Sequence, residues 1–421
     1  MAIAVIELHD FALRCGTGTQ LIEVPGHALV TPRGILTGAE ARARAWLEPR
    51  HSFDQHWQQL GMAALPVASR HARHFADLAH AQLLALHQAA GAPERVVFAV
   101  PGSMGREQLA VLLGIANAAP FAVAGLVDAA LAAAVHGGVS GSAVHLELLR
   151  HCAVLTALHA GARVERRGVT VLPELGLNRL HELWARHIAE RFIAGHRYDP
   201  LHTGAGEQAL REALPGWLAA LAVQPDAAAI LRGPRGPLAV TLTAAELAAA
   251  ADAVYARLAA AVREAAPGER LLAAQVAALP GIGERLRGRA LPAAASIAGC
   301  LARIDVITAR PANVLITQLP AGVEQPRAPD RPLPSHLLWG HRAHAIGSGL
   351  ALALDGDPPH LRGLSPAAAG TGSGPLLAPA DGRLTLRGAP AGLRIEGDPE
   401  DLRAGDRLRI GGESLELIEV L

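Results

Sequence analysis

The chain has 421 residues, 51% of them hydrophobic and 18% charged, which excludes global disorder and supplies cores for two or three domains. Basic and acidic residues both number 38, so there is no net basic surplus of the kind a non-specific nucleic-acid binder uses to displace counterions. Aromatics reach only 3%, which argues against stacking platforms for single strands and leaves Ala, Leu and Val to build the core.

Every basic residue is arginine; the chain contains no lysine. With Ala, Gly and Pro also abundant, this reads as the codon bias of a GC-rich genome. Its chemical consequence stands regardless: no lysine can grip a phosphate, form a Schiff base or serve a P-loop. Three cysteines, Cys15, Cys152 and Cys300, are far apart and odd in number, which fits a reducing cytoplasm. The N-terminal Met1–Glu7 lacks a basic leader and reads as a strand. The apolar stretch Pro120–Val139 carries Asp128 and several glycines, so it reads as a strand and an Ala-rich helix, not a membrane span.

In chain order, residues 2–31 alternate β-type runs with turns and predict strand hairpins. Residues 38–47 predict a short helix and 66–90 a longer one. His71, His74, His80 and His87 on that longer helix read as a solvated face, because no third and fourth ligand is spaced for a metal. A strand follows at 95–101, then a helix at 106–118, a strand at 121–126 and a helix at 128–136. Strands are expected at 143–149, 152–159 and 163–172, and an amphipathic helix at 177–195. Residues 205–265 read as mostly helical, with Thr243 and Glu246 in capping-box spacing. Short elements at 271–274, 282–287, 292–302, 304–307 and 314–318 complete this part. The Pro-rich stretch 320–335 predicts a linker. Residues 336–421, short β-runs with Gly, Pro and Asp turns, predict an all-β module.

Five strings in this order carry a resemblance: LTGAEARARAW (Leu36–Trp46), RVVFAVPGSMGREQ (Arg95–Gln108), LVDAALAAAVHG (Leu126–Gly137), ELGLNRLHE (Glu174–Glu182) and LLAAQVAALPGIGERL (Leu271–Leu286). Together they are similar to DnaK-type heat-shock chaperones and their actin relatives. The resemblance implies an α/β, two-lobed nucleotide-binding fold over 1–319, with a helical insertion near 205–265, joined to a small β-sandwich over 336–421.

That family grips a nucleotide with three glycine-rich turns, because a side chain would hold the backbone N–H groups away from phosphate. This chain departs from the pattern at each. Where the family has D-L-G-T-T stand Glu7-Leu8-His9-Asp10-Phe11. Where it has D-L-G-G-G-T stand Glu147-Leu148-Leu149-Arg150-His151-Cys152. Where it has G-G-S-T-R stand Ala274-Gln275-Val276-Ala277-Ala278. In the segment matching H-L-G-G-E-D, Gly176 is kept and Leu177 takes the second glycine's place. The acidic positions that hold Mg²⁺ in the family survive as Glu7, Asp128 and Glu147. The expectation is a degenerate cleft plugged by its own charges, with Arg150 paired to Glu7 or Glu147. No cofactor is expected; ATP or ADP with Mg²⁺ at an altered site is the weaker alternative.

Near the C-terminus, Leu402–Gly411 resembles the L-x-x-G-D-x-I-x-I-G turn of forkhead-associated domains, Leu393–Gly397 resembles their F-V-N-G strand, and His344–Gly347 stands as the first core strand. Their phosphothreonine-reading residues do not match: Ser348 follows Gly347, and Ala389-Pro-Ala-Gly392 replaces the Asn-Gly-Thr turn. The expected role is a catalytically silent scaffold or adaptor with protein partners and neither nucleic acid nor membrane. Two competing readings are a chaperone-like nucleotide switch and an actin-like polymeriser.

Overall fold

The computed structural model describes residues 3–18, 20–265, 268–321, 332–356, 360–366, 375–380, 383–388, 393–396, 402–410 and 412–420. It is a mixed α/β protein with several sheets and, among the described residues, 12 helices. Contacts divide the chain into two units, Met1–Val323 and Glu324–Leu421. Most of the Pro-rich linker (322–331), the Ala389–Gly392 turn, Gly397 and Gly411 lie outside the described residues.

Two six-stranded sheets organise the first unit, and five strands of each share an order; the sixth lies on opposite edges, Leu315–Ile316 parallel beside Ala122–Asp128 and Gln318–Pro320 antiparallel beside Arg163–Pro173. In the first sheet, Ile3–Glu7, Ala12–Gly16 and Leu21–Pro25 form an antiparallel meander. Arg95–Val100 then pairs parallel with the opening strand, and Ala122–Asp128 parallel with that. In the second sheet, Gly141–Leu148, Cys152–Ala160 and Arg163–Pro173 form the meander. Glu269–Leu272 pairs parallel with its opening strand, and Arg289–Ala290 parallel with that. The central strands are buried on both faces, which is why they read as continuous Val, Ile and Leu runs.

Helices Ala129–His136 and Ala295–Leu301 lie between the sheets. Their side chains join Val5, Val97 and Ala99 of the first sheet to Ala143, Leu158 and Leu271 of the second in one core. Seven of the eight residues of Ala129–His136 are buried, so small alanines are what such a sandwiched helix can accommodate. Asp128 caps it, its Oδ1 accepting from Leu131 N at 2.9 Å. The outer face of the first sheet is covered by Phe75–Ala89 and Arg106–Asn117. The outer face of the second is covered by Leu177–His196 and Asp252–Ala265, around buried Trp184, whose Nε1 donates to Leu247 O at 2.8 Å.

Three sequence expectations need correction. The helix expected from 66 begins only at Phe75, because Asp77 Oδ2 accepts from the backbone N–H groups of Arg73 (2.7 Å) and His74 (2.9 Å) and fixes the start there. The histidines of that segment are not a solvated face: His71, His74 and His80 are half-buried, and His87 is buried against Phe121 with Nε2 on Pro93 O at 3.0 Å. The stretch 205–265 is interrupted by a hairpin, Asp226–Gly233 with Gly236–Thr243. Ala227, Ala229 and Leu231 are buried and alternate with exposed Ala228, Ile230 and Arg232, so a strand period was hidden by alanine's helical preference. Thr243 does cap the next helix, accepting from Glu246 N at 3.2 Å, while the Glu246 carboxylate faces His187 and Arg191.

Among the described residues the second unit is all β. One sheet runs Arg342–Ala345, His336–Trp339, Glu413–Ile418, Arg407–Ile410, Arg394–Glu396; the other runs His360–Pro366, Leu350–Asp355, Leu376–Ala380, Arg383–Arg387. Leucines from both sheets, among them Leu337, Leu352, Leu377 and Leu415, share one core. Asp406 secures the turn before Arg407–Ile410, with Oδ2 accepting from Arg403 N at 2.9 Å. Among the described residues no helix is long and apolar enough to cross a membrane.

The tightest helix contact in the middle layer gives a test. A Cβ on Gly299 would stand 1.9 Å from Ala132 O. Gly299→Ala is expected to lower stability by about 1–3 kcal/mol, measured as a reduced urea midpoint with unchanged m-value.

Candidate functional site

The candidate site lies where the first hairpin turn of each sheet meets the other. The turn after Ile3–Glu7 carries Leu8–Phe11; the turn after Gly141–Leu148 carries Leu149–His151. Asp10 Oδ1 accepts from Arg150 N at 2.6 Å, which ties the two turns together. The Arg150 side chain is buried and fully engaged. Its Nη2 donates to Phe11 O (3.3 Å) and His27 Nδ1 (3.3 Å), and its Nη1 to Asn178 Oδ1 (3.3 Å). Its guanidinium also lies over the Phe11 ring, 5.1 Å from the centroid.

Asp54 closes this network. It sits 3.7 Å from Arg150 Nη1 and 3.2 Å from His151 Nε2, and its Oδ2 accepts from Asn178 Nδ2 at 2.8 Å. Burial pushes the Asp54 carboxyl up, but His151, Arg150 and Asn178 outweigh it and hold the group well below the usual carboxylate range. Asp10 goes the other way: burial raises it against the pull of Arg150. Its Oδ2 is buried with no hydrogen-bond partner.

Gly176 explains why a glycine survives here. A Cβ there would stand 2.4 Å from Arg150 O and 2.5 Å from Cys152 N. That close approach lets Leu177 N donate to Leu149 O and Asn178 N to Arg150 O, each at 2.9 Å. The amides opening Leu177–His196, which could greet an anion, are therefore taken by the chain's own carbonyls.

A second group of predicted residues lies at the base of the turns. Glu7 Oε2 accepts from Arg14 Nη1 at 3.1 Å and Oε1 from Ser296 Oγ at 2.6 Å. Arg14 continues to Glu23 at 2.7 Å. His9 is buried, with Gln275 Nε2 2.8 Å from its Nε2. Ala274 and Gln275 open a one-turn helix, Ala274–Ala277, so the expected third strand-turn is helical. Between Glu7, Glu147 and Gln275 the free space is a cavity of ≈ 20 Å³. That is room for about one water and not for a phosphoryl group. Leu149 packs with Cys152 and Val154, away from this space. Asp128 stands apart from both groups of contacts, bonded to Arg166 Nη1 at 2.8 Å.

The expected pairing of Arg150 with Glu7 or Glu147 is therefore corrected. Glu7 and Arg14 are directly opposed on antiparallel strands, so Glu7 is already satisfied. Arg150, out on its turn, reaches the other way to Phe11 O, Asp54 and Asn178. His9 Nε2 and Glu147 Oε1 are 3.8 Å apart, but this is not an ion pair. Burial holds His9 down to about 3, and burial with the nearby Glu7, Asp128 and Asp10 charges pushes Glu147 up to about 8, so both are neutral near pH 7. Arg14, Asp54, Asn178 and Ser296 were not singled out in the sequence. Arg14 carried a usable signal, an arginine inside an otherwise apolar strand; Asp54 carried none.

Beyond Arg150 two larger cavities open on the surface. One of ≈ 530 Å³ lies along Glu174–Glu182 and Arg257. The other, of ≈ 270 Å³, is bounded by Phe11, Trp46 and three arginines, Arg42, Arg150 and Arg211. Among the described residues no group of His, Cys, Asp and Glu is placed to hold a metal ion. No protein-family model matches the chain, and no curated protein matches it significantly.

Two predictions follow from this geometry. Arg150→Met should cost about 3–5 kcal/mol, because it leaves the Arg150 contacts with half-buried Asp54 and buried Asp10 without their positive charge; a double-mutant cycle with Asp54→Asn should recover part of it. Glu147 has a folded pKa raised above its ordinary 4.5, so its neutral form's stabilisation is present below pH 4.5 and lost as pH rises to about 8. Glu147→Gln should abolish that decline, read from urea midpoints between pH 5 and 9. It should leave the acid-side loss intact, where unfolded His9, His56, His145 and His181 take up protons that burial denies them, their folded values being about 3 to about 4.

Proposed function

We propose that this chain is a catalytically silent actin/DnaK-like pseudo-ATPase acting as a protein-binding scaffold or adaptor, with a forkhead-associated-like β-sandwich as its second unit. The two-lobed reading is supported by the repeated strand order of the two sheets and by the helix pair packed between them. The observation that carries the silent reading is the filling of the turns. Side chains stand where the resemblance calls for bare backbone. Arg150 and His9 are buried in self-made contacts, and only ≈ 20 Å³ is left beside Glu7 and Glu147. Backbone N–H groups that a phosphate would need are bonded to Asp10 Oδ1 and to the chain's own carbonyls.

The adaptor role follows from what remains once turnover is lost: two folded units and no charge surplus to direct them to nucleic acid. In the second unit the mismatched phosphothreonine residues favour plain docking over phosphopeptide reading. A second reading, a nucleotide switch with an altered phosphate site, draws on the surviving acids Glu7, Asp128 and Glu147 and on the open space beyond Arg150.

Thermal melting with Mg²⁺ and ATP or ADP separates the two. A nucleotide present at about a thousandfold excess over its dissociation constant adds about 4 kcal/mol to the native state, a shift of several degrees. The silent reading expects no Mg²⁺-dependent shift at millimolar nucleotide and no phosphate release. Micromolar affinity with turnover would overturn it.

A further inference from the structure

The ≈ 270 Å³ cavity beyond Arg150 holds charges that the network around Asp54 does not use. Arg42 lies on the helix Gly38–Arg42, which packs on the strands Leu21–Pro25 and Ala28–Thr31. Arg211 lies on Gly204–Leu221, across the cavity. Gln208 bridges the two sides: its Nε2 donates to Arg42 O at 2.9 Å, and its Oε1 accepts from Trp46 N at 3.0 Å. The two arginines are thus held in place relative to each other by a bond that neither guanidinium makes.

One guanidinium is unspent and the other only partly engaged. Among the described residues the Arg42 side chain has no ion pair within 4.0 Å and no hydrogen bond; Glu212 is the acid whose charge it feels. Arg211 pairs with Glu207 through Nη2 at 3.2 Å and lies over Trp46, 5.6 Å from the ring centroid, while its buried Nε has no partner. The acids facing the cavity are already committed. Asp54 serves Arg150, His151 and Asn178, and Glu182 stands 3.6 Å from Arg179.

We propose that this cavity binds a small polyanion, a phosphate- or carboxylate-bearing molecule, between Arg42 and Arg211. The proposal deepens the pseudo-ATPase reading and rests on it: the cleft keeps a ligand that signals occupancy and loses the chemistry. Charge-assisted bonds from two fork-shaped guanidinium groups suit such a ligand, and Trp46 lines the same cavity. Burial holds nearby His181 down to about 3, and the positive charges of Arg150, Arg211 and Arg42 push it the same way, which marks the cavity as electropositive. Because Arg42 and Arg211 come from opposite sides of the cavity, a bound anion would strengthen the closure that Gln208 begins.

Isothermal titration calorimetry of the full chain with pyrophosphate, inorganic phosphate and citrate tests this. The expected result is saturable, salt-sensitive binding of at least one of them, weakened about tenfold or more by each of Arg42→Gln and Arg211→Gln. Arg257→Gln, in the neighbouring cavity, should leave it unchanged. Preference for pyrophosphate or phosphate assigns a phosphate ligand, and preference for citrate a polycarboxylate; either supports the site. No saturable heat with any probe overturns it, and so does binding that survives both substitutions or is lost equally in Arg257→Gln. Circular dichroism of each variant checks folding, because Arg42 makes no side-chain bond among the described residues, whereas Arg211 gives up a part-buried pair with Glu207 and its place over Trp46. Phosphate release from ATP, measured on the same samples, fails separately: turnover would sink the silent reading, whereas absent anion binding sinks only this inference.

Discussion

The buried guanidinium of Arg150 is the constraint around which the first unit's centre is arranged. A charge taken from water needs partners of good geometry, and the chain supplies them from four separate segments: Phe11, His27, Asp54 and Asn178. Satisfying it fixes the two hairpin turns against each other. It also seats the helix Leu177–His196 on the second turn, through the bare backbone of Gly176. The same contacts consume the amides and the space that an anion would otherwise use. The packing of the two turns and the occupation of their amides thus have one cause.

Below the turns, a second economy of charge operates. Glu7 is neutralised by Arg14 and Ser296, while Glu147, left among other carboxylates and buried, stays protonated up to about pH 8. Three acids, Glu7, Glu147 and Asp128, are each handled differently: one paired, one neutral, and Asp128 divided between a helix cap and Arg166. The presence of an acidic residue type is therefore poor evidence for a particular task. What sets the task is the distance to the nearest opposite charge and the depth of burial.

The parallel strands, the middle helices and the long amphipathic helix were legible because burial on both faces, or on one helical stripe, leaves a periodic apolar signature. The hairpin at 226–243 was not, since alanine fills a strand's inward positions as easily as a helix's. The start of Phe75–Ala89 was missed because it depends on where the Asp77 carboxylate finds two backbone donors, a matter of geometry and not of composition. At the site, the bulky and charged residues of the turns could be seen in sequence. Their partners could not: Asp54 and Asn178 come from positions with no pattern of their own.

The sequence by itself determined that no lysine is available for phosphate chemistry, that bulky side chains occupy the turns, and that a Pro-rich stretch precedes an all-β segment. These are properties of residue identity, so they survive any arrangement in space. Only the tertiary structure decided that Arg150 turns away from Glu7 toward Asp54, and that His9 and Glu147 meet as neutral groups. It alone decided that Arg42, without an ion pair among the described residues, and Arg211 line one cavity. Those outcomes depend on strand register and on distances of a few ångströms between segments remote in the chain, where burial and Coulomb attraction, not sequence spacing, select the partner.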